Sequence, residues 1–189
     1  MKEWDKMKSG EWYDSNWPDI LRARMKAQDL CFELNCYKPS LQEKRVEILT
    51  ELLGYYPEGL FLLSPFMCDY GVNIKMGKNV FVNTNCYFMD CADIVIGDNV
   101  FIGPFCGFYT DNHPMDYASR NTGLERAQTI TVGDNCWFGA NVSVMPGVTI
   151  GSGCVIAAGS VVTQDIPDNS MAAGVPAKVM KKNRAEINQ

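Results

Sequence analysis

From Val132 onward the chain repeats every six residues: Val132, Phe138, Val144, Ile150, Ile156 and Val162 are all apolar. Two residues before each stand Ile130, Cys136, Val142, Val148, Cys154 and Ser160, all apolar or small, and Gly133, Gly139, Gly151 and Gly159 punctuate the intervals. Six is not a multiple of 3.6, so this spacing does not hold one face of a helix. A short strand and a tight turn, repeated so that the same position always points inward, does produce it. The same pattern stands upstream as Met76, Val82 and Phe88 and again as Ile96, Ile102 and Phe108. The reading is a mainly β protein, a parallel β-helix of hexapeptide repeats running from about Asn73 to Asp165.

Two breaks interrupt the register. From Phe88 to Ile96 the step is eight, so Met89–Asp93 must bulge at a corner. Between Phe108 and Ile130 the pattern lapses over an insertion at 110–129 that holds Asp111-Asn112-His113-Pro114 and Glu125. Extra residues in a solenoid leave the coil as a loop whose ends the stacked coils hold rigid, a setting suited to functional groups. His113 is the only histidine in the chain.

Residues 1–60 read as an N-terminal helical cap and 61–189 as the β-helix domain, with a closing segment from 166. Ile20, Leu21, Met25, Leu30 and Leu34 mark the apolar face of one helix between Asp19 and Leu34. Ser40-Leu41-Gln42-Glu43 has the form of a capping box ahead of Val46, Leu49, Leu52 and Leu53, and Gly54 is a stop signal. Such a cap would cover the open edges of the first coil. After the closing Gly174-Val175-Pro176-Ala177 come Lys178, Lys181, Lys182 and Arg184.

Composition narrows the function. A length of 189 residues excludes two large domains, and 47% hydrophobic with 21% charged residues is a soluble globular balance. A net charge of -5 argues against nucleic acid or an anionic membrane as partner. Eight cysteines without a C-x-x-C pair, beside one histidine, offer no ordinary zinc set, so no metal is expected. The start, Met1-Lys2-Glu3-Trp4-Asp5-Lys6, has no apolar leader behind it, and no stretch approaches the ~18 apolar residues of a membrane span. A cytoplasmic protein is expected.

Several motifs carry a resemblance: Lys8-Ser9-Gly10-Glu11-Trp12-Tyr13, Cys68-Asp69-Tyr70-Gly71-Val72-Asn73-Ile74, Asp111-Asn112-His113-Pro114, Gly133-Asp134-Asn135-Cys136-Trp137-Phe138-Gly139 and Gly174-Val175-Pro176-Ala177. On these the chain resembles the hexapeptide-repeat acyltransferases, and within them the maltose and galactoside O-acetyltransferases and the related nodulation acetyltransferase. A zinc carbonic anhydrase of the same repeat would need three histidines and is excluded. The resemblance implies a homotrimer of left-handed β-helices, acetyl-CoA as co-substrate in the groove between neighbouring solenoids, and a sugar hydroxyl as acceptor.

It also implies roles. His113 becomes the general base, since a neutral imidazole with a pKa of about 6.5 can take the proton of an attacking hydroxyl. Asn83 matches the donor to the tetrahedral oxyanion, or else is a corner asparagine in a left-handed turn. Asp14 and Asp69 match acceptor-binding carboxylates, or cap a turn. Arg24 faces the acceptor or pairs within the cap, and Glu125 matches the maltose-type enzymes, orienting the imidazole or touching the sugar unless it is a solvated loop charge. Where galactoside enzymes have a second aspartate after the one matching Asp90, this chain has Cys91, which removes a hydroxyl acceptor that Asp90 or Asp93 would have to replace. For the coenzyme, family positions fall on Ala140, Ala158, Thr163 and Gln164, with Lys178 and Lys181 at the phosphates or simply in a solvated end. The same fold would also serve acetylation of an antibiotic or another small alcohol. A non-catalytic trimeric scaffold is disfavoured by the intact His113 loop.

Overall fold

The computed structural model describes residues 2–182. Arg184, at the end of the basic tail, lies outside them. The chain opens with α1 (Glu3–Ser9), the short β1 (Tyr13–Asp14), α2 (Pro18–Cys36) and α3 (Gln42–Leu53). The first coil follows as β2 (Phe61–Leu62), β3 (Phe66–Cys68) and β4 (Ile74–Met76), and the second as β5 (Phe81–Val82), β6 (Cys86–Met89) and β7 (Ile94–Ile96). The third coil has β8 (Phe101–Ile102) and β9 (Gly107–Tyr109), then leaves the solenoid through β10 (Asp111–Asn112), α4 (Tyr117–Arg120) and β11 (Leu124–Ala127) before returning as β12 (Ile130–Val132). The fourth is β13 (Trp137–Phe138), β14 (Ser143–Val144) and β15 (Thr149–Ile150). In the fifth, β16 (Val155–Ile156) and β17 (Val161–Val162) are followed by a single bridge from Ile166 to Ile150. The antiparallel pair β18 (Ser170–Gly174) and β19 (Ala177–Lys182) closes the top.

Strands of successive coils pair in parallel on three faces, with Val82 beside Ile102, Phe88 beside Phe108 and Ile94 beside Ile130. Every six-residue anchor named from the sequence is buried, and each lies over its equivalent in the next coil. The widest inward side chains, Phe66, Phe88, Phe108 and Phe138, form a column of rings drawn from two faces of the coil, with centroids 5.4, 4.7 and 5.5 Å apart. Between side chains the corners must be thin: a Cβ on Gly139 would stand 2.6 Å from the Ala158 nitrogen.

The solenoid begins at Phe61 rather than at Asn73. In this first coil Leu62, Cys68 and Met76 are the inward anchors, spaced six and then eight, so its second interval hides the period behind a bulge of its own. The cap also departs from expectation in detail. On α2 the buried residues are Ile20, Ala27, Cys31 and Leu34, one face at i, i+7, i+11 and i+14, whereas Leu21 and Met25 lie round the helix and are exposed. The capping box does not form, because α3 starts at Gln42 and its N-cap is Leu41, leaving Ser40 one residue too early. Gly54 ends the helix in the left-handed region at φ 79°. The buried Arg45 ties the cap to the solenoid, donating from Nη1 to the Leu34 carbonyl (3.1 Å) and Ser64 Oγ (2.9 Å) and from Nη2 to the Leu62 carbonyl (3.0 Å). No helix among the described residues is long and apolar enough to cross a membrane.

Phe108 lies fully buried in the middle of the ring column. Phe108→Ala should therefore lower the unfolding free energy by about 3–5 kcal/mol, read from urea denaturation. A loss below about 1 kcal/mol would contradict the column as a packed core.

Candidate active site

The candidate residues divide between two corners of the solenoid. At the corner after β3, β6, β9, β14 and β17, Asp69, Met89, Tyr109, Met145 and Thr163 occupy equivalent positions in successive coils. In the first two coils this corner bulges, and the two bulges are held by one side chain. Asp90 is fully buried; its Oδ1 accepts the N–H groups of Asp69 (3.0 Å) and Tyr70 (2.8 Å), and its Oδ2 that of Asn73 (3.3 Å). Burial pushes its carboxyl up to about 7, against the pull of those N–H donors. Asp93 turns to Lys8 and Lys75. Neither aspartate stands in for the one that Cys91 replaces, because Asp90 is spent inside the corner and Asp93 on surface lysines.

What the bulges present outward is a polar wall. Asp69 is buried and accepts from the Tyr87 hydroxyl and from Cys91 Sγ (3.5 Å). Burial, followed by the neighbouring Asp69 and Asp111, pushes the Cys91 thiol up, so it stays a protonated donor. Arg24 Nη2 donates to the Tyr70 hydroxyl at 2.9 Å, its guanidinium lies 5.5 Å from that ring's centroid, and Glu125 Oε2 is 3.9 Å away. Arg24 Nε is buried and has no hydrogen-bond partner among the described residues.

The insertion completes this wall. Thr110 Oγ1 donates to the Met89 carbonyl (2.6 Å) and accepts from Ala92 N (3.0 Å), which fastens the loop's start to the second bulge. The loop folds as an antiparallel sheet in the order β1, β11, β10, so the cap's Tyr13 pairs with Glu125 and Asp14 with Leu124. Tyr13 then donates its hydroxyl to Glu125 Oε2 at 2.7 Å. Glu125 is buried, not a solvated charge, and makes no hydrogen bond to His113 among the described residues. Ligand atoms of Cys91, Asp111 and Glu125 lie within 4.8 Å of one another, and burial, then Glu125 and Asp69, raise the Asp111 carboxyl. Asp14 sits at the edge, its Oδ1 accepting from Asn16 N at 2.9 Å in a turn.

His113 follows β10 and is exposed. Its Nδ1 is 3.3 Å from the Leu124 carbonyl, which can only accept, so in the neutral ring the contact assigns the proton to Nδ1 and the lone pair to Nε2. Arg120 Nη1 grips the carbonyls of Pro114 (3.2 Å) and Met115 (3.3 Å), bracing the turn behind the ring. Thr163 and Gln164 are exposed at this same corner, four coils above Asp69.

The other corner follows β5, β8, β13 and β16. Here Asn83, Gly103, Gly139 and Ala157 stack in register, each N–H donating to the coil above at 2.8–2.9 Å. One residue further, Ala140 and Ala158 stand over each other. A groove of about 530 Å³ runs along this strip, lined by Asn83, Gly103, Gly139, Ala140, Phe101 and Trp137 among others. Asn83 Oδ1 accepts from Thr84 N at 2.8 Å, and it is Asn85, not Asn83, that takes the left-handed corner at φ 60°. At the top of the strip Lys178 pairs with Ala173 and Lys181 with Met171, both lysines exposed. Within one chain His113 and its polar wall therefore do not line the groove that holds Asn83 and Ala140.

Sequence reasoning missed Tyr13, Tyr70 and Tyr87. The offset of twenty residues between the first coils, Phe61 to Phe81 to Phe101, was the available signal: it sets the segment Asp69–Asn73 directly on Met89–Asp93.

Comparison with known proteins agrees with this architecture. Residues 6–56 match the maltose acetyltransferase hexapeptide capping motif, and residues 129–164 match the hexapeptide repeat of succinyl-transferase. A Staphylococcus aureus protein named as an acetyltransferase is 54% identical over 188 residues, 99% of this chain and 94% of the relative. The crystal structure of a maltose O-acetyltransferase from Clostridium difficile 630 superposes with a TM-score of 0.95 at 41% identity, covering 97% of this chain and 98% of that one. A hexapeptide-repeat acetyltransferase from Vibrio cholerae, solved with acetyl coenzyme A, has a TM-score of 0.90 at 36% identity over 97% of this chain and 100% of that one. With its helical cap, its left-handed β-helix and its looped third coil, the chain belongs to the hexapeptide-repeat acetyltransferases of the maltose acetyltransferase type.

Proposed function

We propose that this acetyltransferase moves an acetyl group from acetyl-CoA to a sugar hydroxyl in the cytoplasm, at sites shared between the chains of a homotrimer. The observation that carries this reading is the division of the candidate residues: a base and a polar wall at one corner, an amide and a small-residue groove at another. A three-fold ring sets the first corner of each chain against the second corner of its neighbour, and it covers Phe61, Phe101 and Trp137, which are each more than half exposed in one chain. The Vibrio cholerae relative was solved with acetyl-CoA, which supports the same co-substrate here.

In this arrangement the pantetheine arm lies along Gly103, Gly139, Ala140 and Ala158, where the absence of large side chains leaves room and backbone groups. Thr163 and Gln164 of the facing corner close it, and Lys178 and Lys181 meet the phosphates as mobile charges. The acceptor hydroxyls bind Asp69, Glu125, the Arg24 guanidinium and the marginal Asp14. His113 Nε2 takes the proton of one hydroxyl as its oxygen attacks the thioester carbonyl. The oxyanion is met by Asn83 Nδ2, since Oδ1 is held by Thr84 N. Collapse of the tetrahedral intermediate expels the CoA thiolate, which recovers the proton from the imidazolium.

His113→Ala should cut kcat by about 10²–10⁴ while moving the melting temperature little, because the ring is exposed. Retention of more than about a tenth of wild-type kcat on the best sugar acceptor would rule out the base. The double variant Lys178→Ala, Lys181→Ala should raise the KM for acetyl-CoA several-fold at low salt, less at high salt, with the acceptor KM unchanged. An unaltered acetyl-CoA KM at low ionic strength would mean that these lysines are only a solvated end.

A further inference from the structure

Cys31 on α2 and Cys68 at the end of β3 come from opposite sides of the seam between cap and solenoid, and their sulfurs lie 3.7 Å apart. Both side chains are buried, 0% and 1% exposed. The two elements that meet here also carry the acceptor wall. Arg24 lies on α2 two turns before Cys31; Asp69 and Tyr70 follow Cys68 directly, and Arg24 Nη2 reaches the Tyr70 hydroxyl at 2.9 Å. A crevice of about 100 Å³ opens between α2, α3 and the first coil, lined by Ala27, Leu30, Leu52 and Tyr70. Ala27 is one turn before Cys31 on α2, so the crevice borders the helix that carries one of the two sulfurs, although neither cysteine lines it. Of the two thiols Cys31 is the more acidic, held down by the hydrogen bond from Cys68, whose own thiol that bond and burial push up.

We propose that Cys31 and Cys68 are a peroxide-reactive pair that closes to a disulfide and, by doing so, shifts the acceptor wall. The Cys31 thiolate attacks one oxygen of hydrogen peroxide; an S–O bond forms, the O–O bond breaks, and the leaving hydroxide takes up a proton as water. The Cys68 sulfur then attacks Cys31 sulfur. The S–S bond forms, the S–O bond breaks, and the hydroxyl leaves with the Cys68 proton as a second water, so two thiols lose two electrons to one peroxide. Closing from 3.7 Å to the roughly 2.05 Å of a disulfide draws β3 toward α2 next to Asp69, and misaligns Asp69 and the Arg24 contact. The chemical step stands on the sulfur geometry alone; its effect on catalysis rests on the acetyltransferase reading.

The purified protein, treated with a small excess of hydrogen peroxide, denatured and alkylated, should show two fewer alkylated thiols among its eight, with a linked peptide pair containing Cys31 and Cys68, reversed by dithiothreitol. The exposed Cys36 is the competing target, so Cys36→Ser should lose the same two thiols, whereas Cys31→Ser should form no such link. Oxidised protein should show an acceptor KM raised roughly tenfold, the scale of one hydrogen bond to a charged group, with the KM for acetyl-CoA unchanged. Retention of all eight thiols, or oxidation confined to Cys36, overturns the pair. A linked pair with unchanged acceptor KM overturns its influence on the wall, and both thiol outcomes can be read even in a protein that acetylates nothing.

Discussion

Everything in this molecule follows from the demand that each coil lay its backbone N–H groups on the carbonyls of the coil beside it. Parallel pairing of that kind leaves no room for an extra residue within a side of the coil, and inward positions must stack over inward positions. The stacking of Phe88 on Phe108 is the result of this constraint in the core, and Phe66 and Phe138 pack against that pair from other positions of the coil. Its result at the surface is that all extra chain is expelled at corners, as the bulges at 69–73 and 89–93 and the insertion at 110–129. The corner that receives them is the one that carries the polar wall.

Expelled backbone needs partners, and here the sequence spends buried polar groups on it. Asp90 satisfies N–H groups of the first bulge, Thr110 those of the second, and β1 of the cap pairs with β11 of the insertion. A half-satisfied network of this kind would cost more than an apolar core. Two of its phenols each donate to one carboxylate, Tyr87 to Asp69 and Tyr13 to Glu125, which fixes the direction of those two carboxylates, while Tyr70 accepts from Arg24. Helical cap, bulges and loop are thus one construction, joined where β1 of the cap pairs with β11 of the loop.

The repeats, the loop and His113 were legible in the sequence because a period of six admits few folds and a lone histidine in an insertion stands out. The first coil was not, since the bulge after Cys68 turns its second six-residue step into eight. The helix over Glu3–Ser9 is too short for an apolar period, and at Ser40 a local pattern lost to tertiary packing, which starts α3 at Gln42. The tyrosines of the wall carry no motif; only the stacking of one coil on another brings Tyr87 to Asp69. Asn83 and His113 were both named from family positions, but their separation onto different corners is a property of the coil, invisible to any reading along the chain.

That separation yields the account's central claim, a site built from two chains. The direct measurement is activity after mixing two inactive variants, His113→Ala and Asn83→Ala, dissociated and reassembled together. If the base comes from one chain and the amide from the next, random reassembly restores about a quarter of the sites, since each must draw His113 from one variant and Asn83 from the other. If both groups served from the same chain, every site would keep a defect, and the mixture would stay as inactive as its components.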